Sequence, residues 1–248
     1  MSDATTDATA DALAPPASGP PFAAADRPAT VLGHARAFVR WIDQRCHADP
    51  GVRSALRRGV GRPLDDVPYM HKFVVNWLNA EHLRTSDAQR AYYAVASLIA
   101  AQRRDQYAAA KNSTTKNTPD AAATTSPERP YGTSLGAAYA QAVAKGSESG
   151  IRESSAETRL NLLTRQSVNG LHRHLPGAVR QLRDKQVDID WAQLLVDLSR
   201  WNRHSGSIKR RWLQDFYRAR RTVEYDQARQ ADPAAQPEPD PAGARPKN

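Results

Sequence analysis

The stretch 190–201, DWAQLLVDLSRW, carries the strongest periodic signal in the chain. Trp191, Leu194, Leu195, Leu198 and Trp201 recur at i, i+3, i+4, i+7 and i+10, which lines one face of a helix and no face of a strand. Asp190 stands just ahead of them, where a carboxylate can cap a helix by accepting from its unpaired N–H groups. The same period continues outward. Ile208, Trp212, Phe216, Ala219 and Val223 predict a last long helix. Upstream, Pro176 is placed to open a helix carrying Val179 and Leu182. Ser154 with Glu157 forms a capping-box pattern ahead of Leu160, Leu163, Ser167 and Leu171, and Ser134 is placed to cap a short helix with Leu135 and Val143.

The N-terminal half reads the same way. Val31, Ala35, Phe38 and Ile42 share one helical face, flanked by Trp41 and Cys46. Asp49-Pro50 reads as an N-cap followed by proline at the first helical position, and Gly59 closes that short helix. Val67, Met70, Phe73, Val74, Trp77 and Leu78 form a further apolar stripe. Ser86 with Gln89 predicts the start of a helix through Tyr92, Val95, Leu98 and Ile99. The expected fold is all-α: two small helical bundles, 29–110 and 133–226, joined by a flexible linker at 111–132. The extension 1–28 and the tail 227–248 are too poor in apolar residues to offset their ordering entropy and are expected to be disordered.

Composition sharpens this. The 248 residues hold 35 Lys plus Arg against 26 Asp plus Glu, a formal charge of +9. Residues 1–28 carry −3 and 229–248 are neutral, so residues 29–228 carry +12. The single cysteine, Cys46, excludes an internal disulfide framework and a cysteine-built zinc site. No apolar run approaches the roughly 20 residues that cross a bilayer, and the acidic, Ala/Pro-rich start does not read as a signal peptide. A cytoplasmic protein with no membrane partner is expected.

Motifs for catalysis are missing: there is no P-loop, no GxGxxG after a strand, no GxSxG and no HExxH. His172 and His174 project about 200° apart on a helix and cannot easily share a metal. Asp188 and Asp190 resemble a pair of acidic ligands, but capping explains Asp190 with less. Asp197 and Asp215 read as salt-bridge partners, Asp215 with Arg211 at i−4. The five tryptophans read as core anchors. No catalytic residue, metal site or cofactor is expected.

Arginine supplies the positive signal. Arg53, Arg57 and Arg58 sit on the short capped helix, Arg103 and Arg104 end the helix that follows Ser86, and Arg159, Arg165, Arg173, Arg180 and Arg183 are spread before Trp191. Lys209, Arg210 and Arg211, then Arg218, Arg220 and Arg221, mark the two ends of the last helix. Any one of these could solvate a helix face or cap its carbonyls. Together, on a +12 body, they point to a polyanion, because a guanidinium fork pairs with phosphate and stacks on bases. No recognition helix stands out, so contact with the nucleic-acid backbone is favoured over a stand-alone helical regulator reading DNA sequence. A nuclease using Asp188 and Asp190 is the weakest alternative.

The segments FVRWI (38–42), ALRRG (55–59), DVPYMHKFV (66–74), GTSLG (132–136), AETRLNLL (156–163), DWAQLLVDLSRW and WLQDF (212–216), in this order, resemble the small subunit, CasB, of the type I-E CRISPR surveillance complex Cascade. The resemblance spans roughly residues 30–225. It implies a non-catalytic all-α subunit, present in two copies, that contacts the Cascade backbone subunits holding the CRISPR RNA and neighbours the large subunit. It further implies basic patches that hold unwound target DNA, chiefly the displaced strand. The pair Arg57-Arg58 matches a position where relatives tend to be basic, and Arg159, Arg165, Arg173, Arg180 and Arg183 lie in the family's basic helical region.

Overall fold

The computed structural model describes residues 30–102 and 131–231, and among them it contains helices and turns but no strand. The all-α expectation holds. The main helices are α1 (Val31–Ala48), α2 (Pro50–Arg57), α3 (Ser86–Ala100), α4 (Leu135–Ala144), α5 (Glu153–Thr164), α6 (Val168–Asp184), α7 (Trp191–Ser199) and α8 (Trp201–Ala231). The expected N-terminal extension, nearly all of the linker and most of the tail lie outside the described residues. Helix α8 itself runs to Ala231, into the stretch read as tail.

Several starts fall where the residues predict. Asp49 Oδ1 accepts from Gly51 N at 2.7 Å and opens α2 ahead of Pro50. Ser134 Oγ accepts from Ala137 N at 3.2 Å and opens α4. Asp190 Oδ1 accepts from Gln193 N at 2.9 Å and opens α7, while its Oδ2 accepts from Thr133 N at 3.0 Å and ties the start of α4 to the same cap.

Other boundaries differ, each for a local reason. The stripe 67–78 is not one helix. Pro68 removes an N–H and disfavours helical backbone at Val67, and the chain runs through 3-10 turns around the single α turn His71–Val74. The i, i+3 spacing suits these tighter turns equally well, so Val67, Met70, Val74, Trp77 and Leu78 are still buried. Thr85, not Ser86, precedes the first turn of α3, and Gln89 Nε2 donates to the Leu83 carbonyl at 2.8 Å instead of closing a capping box. Helix α5 begins at Glu153, so Ser154 lies inside its first turn. The run from Leu160 to Leu171 is broken at Ser167, which caps α6 by accepting from Gly170 N. Pro176 lies within α6 rather than at its start. Trp201 begins α8 after Arg200 ends α7, and α8 is interrupted at His204, where φ is −129° and ψ 24°.

The buried side chains form one continuous cluster from Ala35 to Phe216. Helix α8 packs along α4, α2 packs on α3, and α6 packs on α5 and α3. Helix α7, from the C-terminal half, packs against α1 and α3 of the N-terminal half. Three tryptophans, Trp77, Trp201 and Trp212, are fully buried anchors, and Trp41 and Trp191 pack half-buried against the same core.

Contact between α4 and α8 depends on Gly136. A Cβ there would stand 1.8 Å from the Trp212 carbonyl oxygen, so only glycine lets the two backbones approach this closely. Beside it, the fully buried Asp197 on α7 accepts from Trp212 Nε1 at 2.6 Å, from Gln193 Nε2 at 2.7 Å and from Arg211 Nη2. Arg211 therefore pairs with Asp197 across the α7–α8 packing, not with Asp215 one turn away on its own helix. Burial pushes the Asp197 carboxyl pKa up, and its three donors pull the other way.

Candidate nucleic-acid interface

Helix α6 buries Leu171, Leu175, Ala178, Val179 and Leu182 and turns Arg173, Gly177 and Arg180 outward. Seven residues separate Arg173 and Arg180, about 10 Å along the axis on one stripe. Arg165, at the C-terminal end of α5, is exposed just ahead of this helix.

The end of α2 also carries exposed arginines. Leu56 points into the core, while Arg57 and Arg58 are exposed, and the Arg58 guanidinium lies 5.0 Å from the Tyr69 ring centroid. The turn that follows needs Gly61, whose φ is +72°, and brings the backbone against α6, where a Cβ on Gly61 would stand 3.9 Å from Pro176 Cγ. Pro176 is three residues after Arg173 and four before Arg180, so this contact brings the 59–62 turn, with the exposed Arg62, against the helix that carries the arginine stripe. A second tie, from Arg90 on α3 to Asn169 Oδ1, closes the same junction. Among the described residues, no ion pair joins a carboxylate to Arg57, Arg58, Arg62, Arg165, Arg173 or Arg180. Arg62 and Arg90 carry no periodic signal in the sequence. Only the packing of the 59–62 turn and α3 on α6 places them here.

Other candidate arginines have different surroundings. Arg53 donates to the carbonyls of Ala100, at 3.2 Å, and Gln102, clamping α2 to the end of α3. Arg159 is half-buried near Tyr139, whose hydroxyl contacts the Ala178 carbonyl and Gln181 Oε1 at 3.3 Å, away from the Pro176 flank. Arg183 is half-buried and engaged within the fold. Arg103 and Arg104 lie outside the described residues. On α8, Arg220 pairs with Glu153 at 3.0 Å and Glu224 at 3.2 Å, Lys209 lies over the Trp201 ring, and Arg210, Arg218 and Arg221 are exposed.

Among the described residues, no group of three or more His, Cys, Asp or Glu side chains could hold a metal, and no helix is long and apolar enough to cross a membrane. His172 faces the core under the 59–62 turn with Nε2 unpartnered, and burial, then the Arg90 charge, push its pKa down to about 4. His174 lies on another face of α6.

Fold and surface together define an all-helical protein with exposed arginines on α6 that, among the described residues, form no ion pair with a carboxylate. The chain belongs to the CRISPR-associated protein Cse2 family, whose model matches residues 52–217. Among solved structures, the chain is similar to one from a CRISPR RNA-guided surveillance complex, with 34% identity and a TM-score of 0.64, covering 82% of this chain and 100% of that one. A second, from such a complex described as pre-nicking, shows 35% identity and a TM-score of 0.65 over the same shares. The crystal structure of M. ruber CasB matches at 26% identity and a TM-score of 0.58, covering 79% of this chain and 97% of that one. No curated protein matches the chain.

Proposed function

We propose that this chain is the small subunit of a type I-E CRISPR surveillance complex, and that it binds nucleic acid there without catalysing a reaction. In this reading its partners are the Cascade backbone and large subunits, a second copy of itself, the CRISPR RNA and the target DNA. The arginine track steadies the guide RNA–target DNA R-loop, chiefly by gripping the displaced strand. RNA-guided unwinding exchanges one duplex for another at nearly balanced free energy, so a few phosphate contacts are enough to tip it. The observation that supports the reading is the exposed Arg173–Arg180 stripe of α6, with the turn that bears Arg62 packed on the same helix at Gly61–Pro176 and, among the described residues, no ion pair from these arginines to a carboxylate. Such a surface reads charge and backbone, not base sequence.

The test is the assembled complex carrying Arg165→Glu, Arg173→Glu and Arg180→Glu. These side chains are exposed, so folding and assembly are expected to survive, while the R-loop dissociates faster and its stability falls more steeply with salt. Target binding that matches wild type across salt concentrations would remove the track from this role.

A further inference from the structure

A cleft of about 620 Å³ opens between the start of α1, the chain 76–88 and the junction of α7 with α8. This is within the size range of sites that take small ligands. Its inner wall is aromatic. Trp77 and Tyr92 are buried there, with the His34 ring 5.6 Å from Trp77 and the His82 ring 5.0 Å from Tyr92. His34 is held by its Nε2 contact to the Trp77 carbonyl at 3.1 Å. His82 differs: its Nδ1 is buried and has no hydrogen-bond partner in the fold.

The charged lining has two signs from two places. Glu81 and Asp87 come from the N-terminal half, and Arg200 and Arg203 from the α7–α8 junction. Arg203 reaches Glu81 only at 3.8 Å, with both side chains about two-thirds exposed or more, so that pair is loose and open to exchange. Carboxylates suit the amino group of a base, and guanidinium groups suit a phosphate. An apolar peptide side chain in the same place would bury Asp87 and leave its carboxylate without a partner.

We propose that this cleft takes one unstacked nucleotide of a single strand, its amino-bearing base toward Asp87 and its phosphate on Arg200 and Arg203. The proposal rests on the nucleic-acid-binding reading above but concerns a different group of residues.

The experiment compares fluorescence anisotropy of labelled oligodeoxycytidine and oligodeoxyuridine with the full chain, because cytosine carries an amino group at C4 where uracil carries a carbonyl, with N3 an acceptor in the one and an N–H donor in the other. Tighter binding of oligodeoxycytidine by about fivefold is expected, the worth of one such hydrogen bond. Asp87→Asn should bring the two within about twofold, with a melting curve confirming the fold. Arg173→Glu with Arg180→Glu should weaken both oligomers alike and keep the preference. Equal affinity in the wild type, or a preference that survives Asp87→Asn, would overturn the cleft proposal and leave the arginine track standing. Binding of neither oligomer would remove the track as well.

Discussion

Replacing Asp197 by alanine tests how the C-terminal helices are held. The carboxylate is 2% exposed and accepts from Gln193, Trp212 and Arg211, while the Arg211 side chain is itself only 22% exposed. Asp197→Ala removes the acceptor and leaves three buried or half-buried donors, one of them charged. Breaking a buried pair from one side costs about 3–5 kcal/mol, because the remaining charge loses its partner and regains little water. A domain of this size has a total stability of about 5–15 kcal/mol, so the loss should be plain in urea unfolding followed by circular dichroism. Asp197→Asn keeps an acceptor and the volume and should lose less. Asp215→Ala, on the same helix as Arg211 but outside this network, should stay within about 0.5 kcal/mol of wild type. A loss below about 1 kcal/mol for Asp197→Ala, with an unchanged urea slope, would refute the assignment of Arg211 and Trp212 to this carboxylate.

Gly136→Ala should lower the melting temperature sharply and cost about 1–3 kcal/mol or more, since the new methyl group meets the Trp212 backbone, whereas Gly177→Ala, with open space around its Cβ, should stabilise α6 by about 0.5–1 kcal/mol. His172 titrates near 4 in the fold against an ordinary 6.5, so the folded state binds fewer protons in that window. Stability is then full above about pH 6.5 and falls toward pH 4 by on the order of 3 kcal/mol, and His172→Leu should flatten denaturation midpoints across that range. Arg53→Met should cost about 1–2 kcal/mol in melting experiments, by freeing the carbonyls at the end of α3, and leave single-strand affinity nearly unchanged. A loss of affinity without a loss of stability would return Arg53 to the interface.

Local chemistry was legible wherever one residue type decides the backbone. Asp49 before Pro50, Ser134 and Asp190 cap the helices they precede, and most residues of the apolar periods of α1, α7 and α8 are buried, while Val31 at the start of α1 is exposed and Trp191, Ala219 and Val223 are half-buried. The i, i+3, i+4 pattern was less decisive at 67–78, because a 3-10 turn buries the same positions as an α-helix. Capping boxes at Ser86 and Ser154 were one or two residues out, since these helices begin after Thr85 and Arg152 with no side-chain cap at all.

Helical class, the excess of positive charge and the want of a catalytic motif follow from composition and spacing alone, because these are sums and periods along the chain. Which arginine serves which purpose does not. Arg53 and Arg57 are four residues apart on one helix, yet one is bound to carbonyls of α3 and the other faces water. Arg62 and Pro176 are more than a hundred residues apart, yet lie together because Gly61 turns the chain onto α6. A guanidinium keeps its charge everywhere, and whether that charge is spent inside the fold or offered outside depends on which acceptors the other helices bring within about 3 Å.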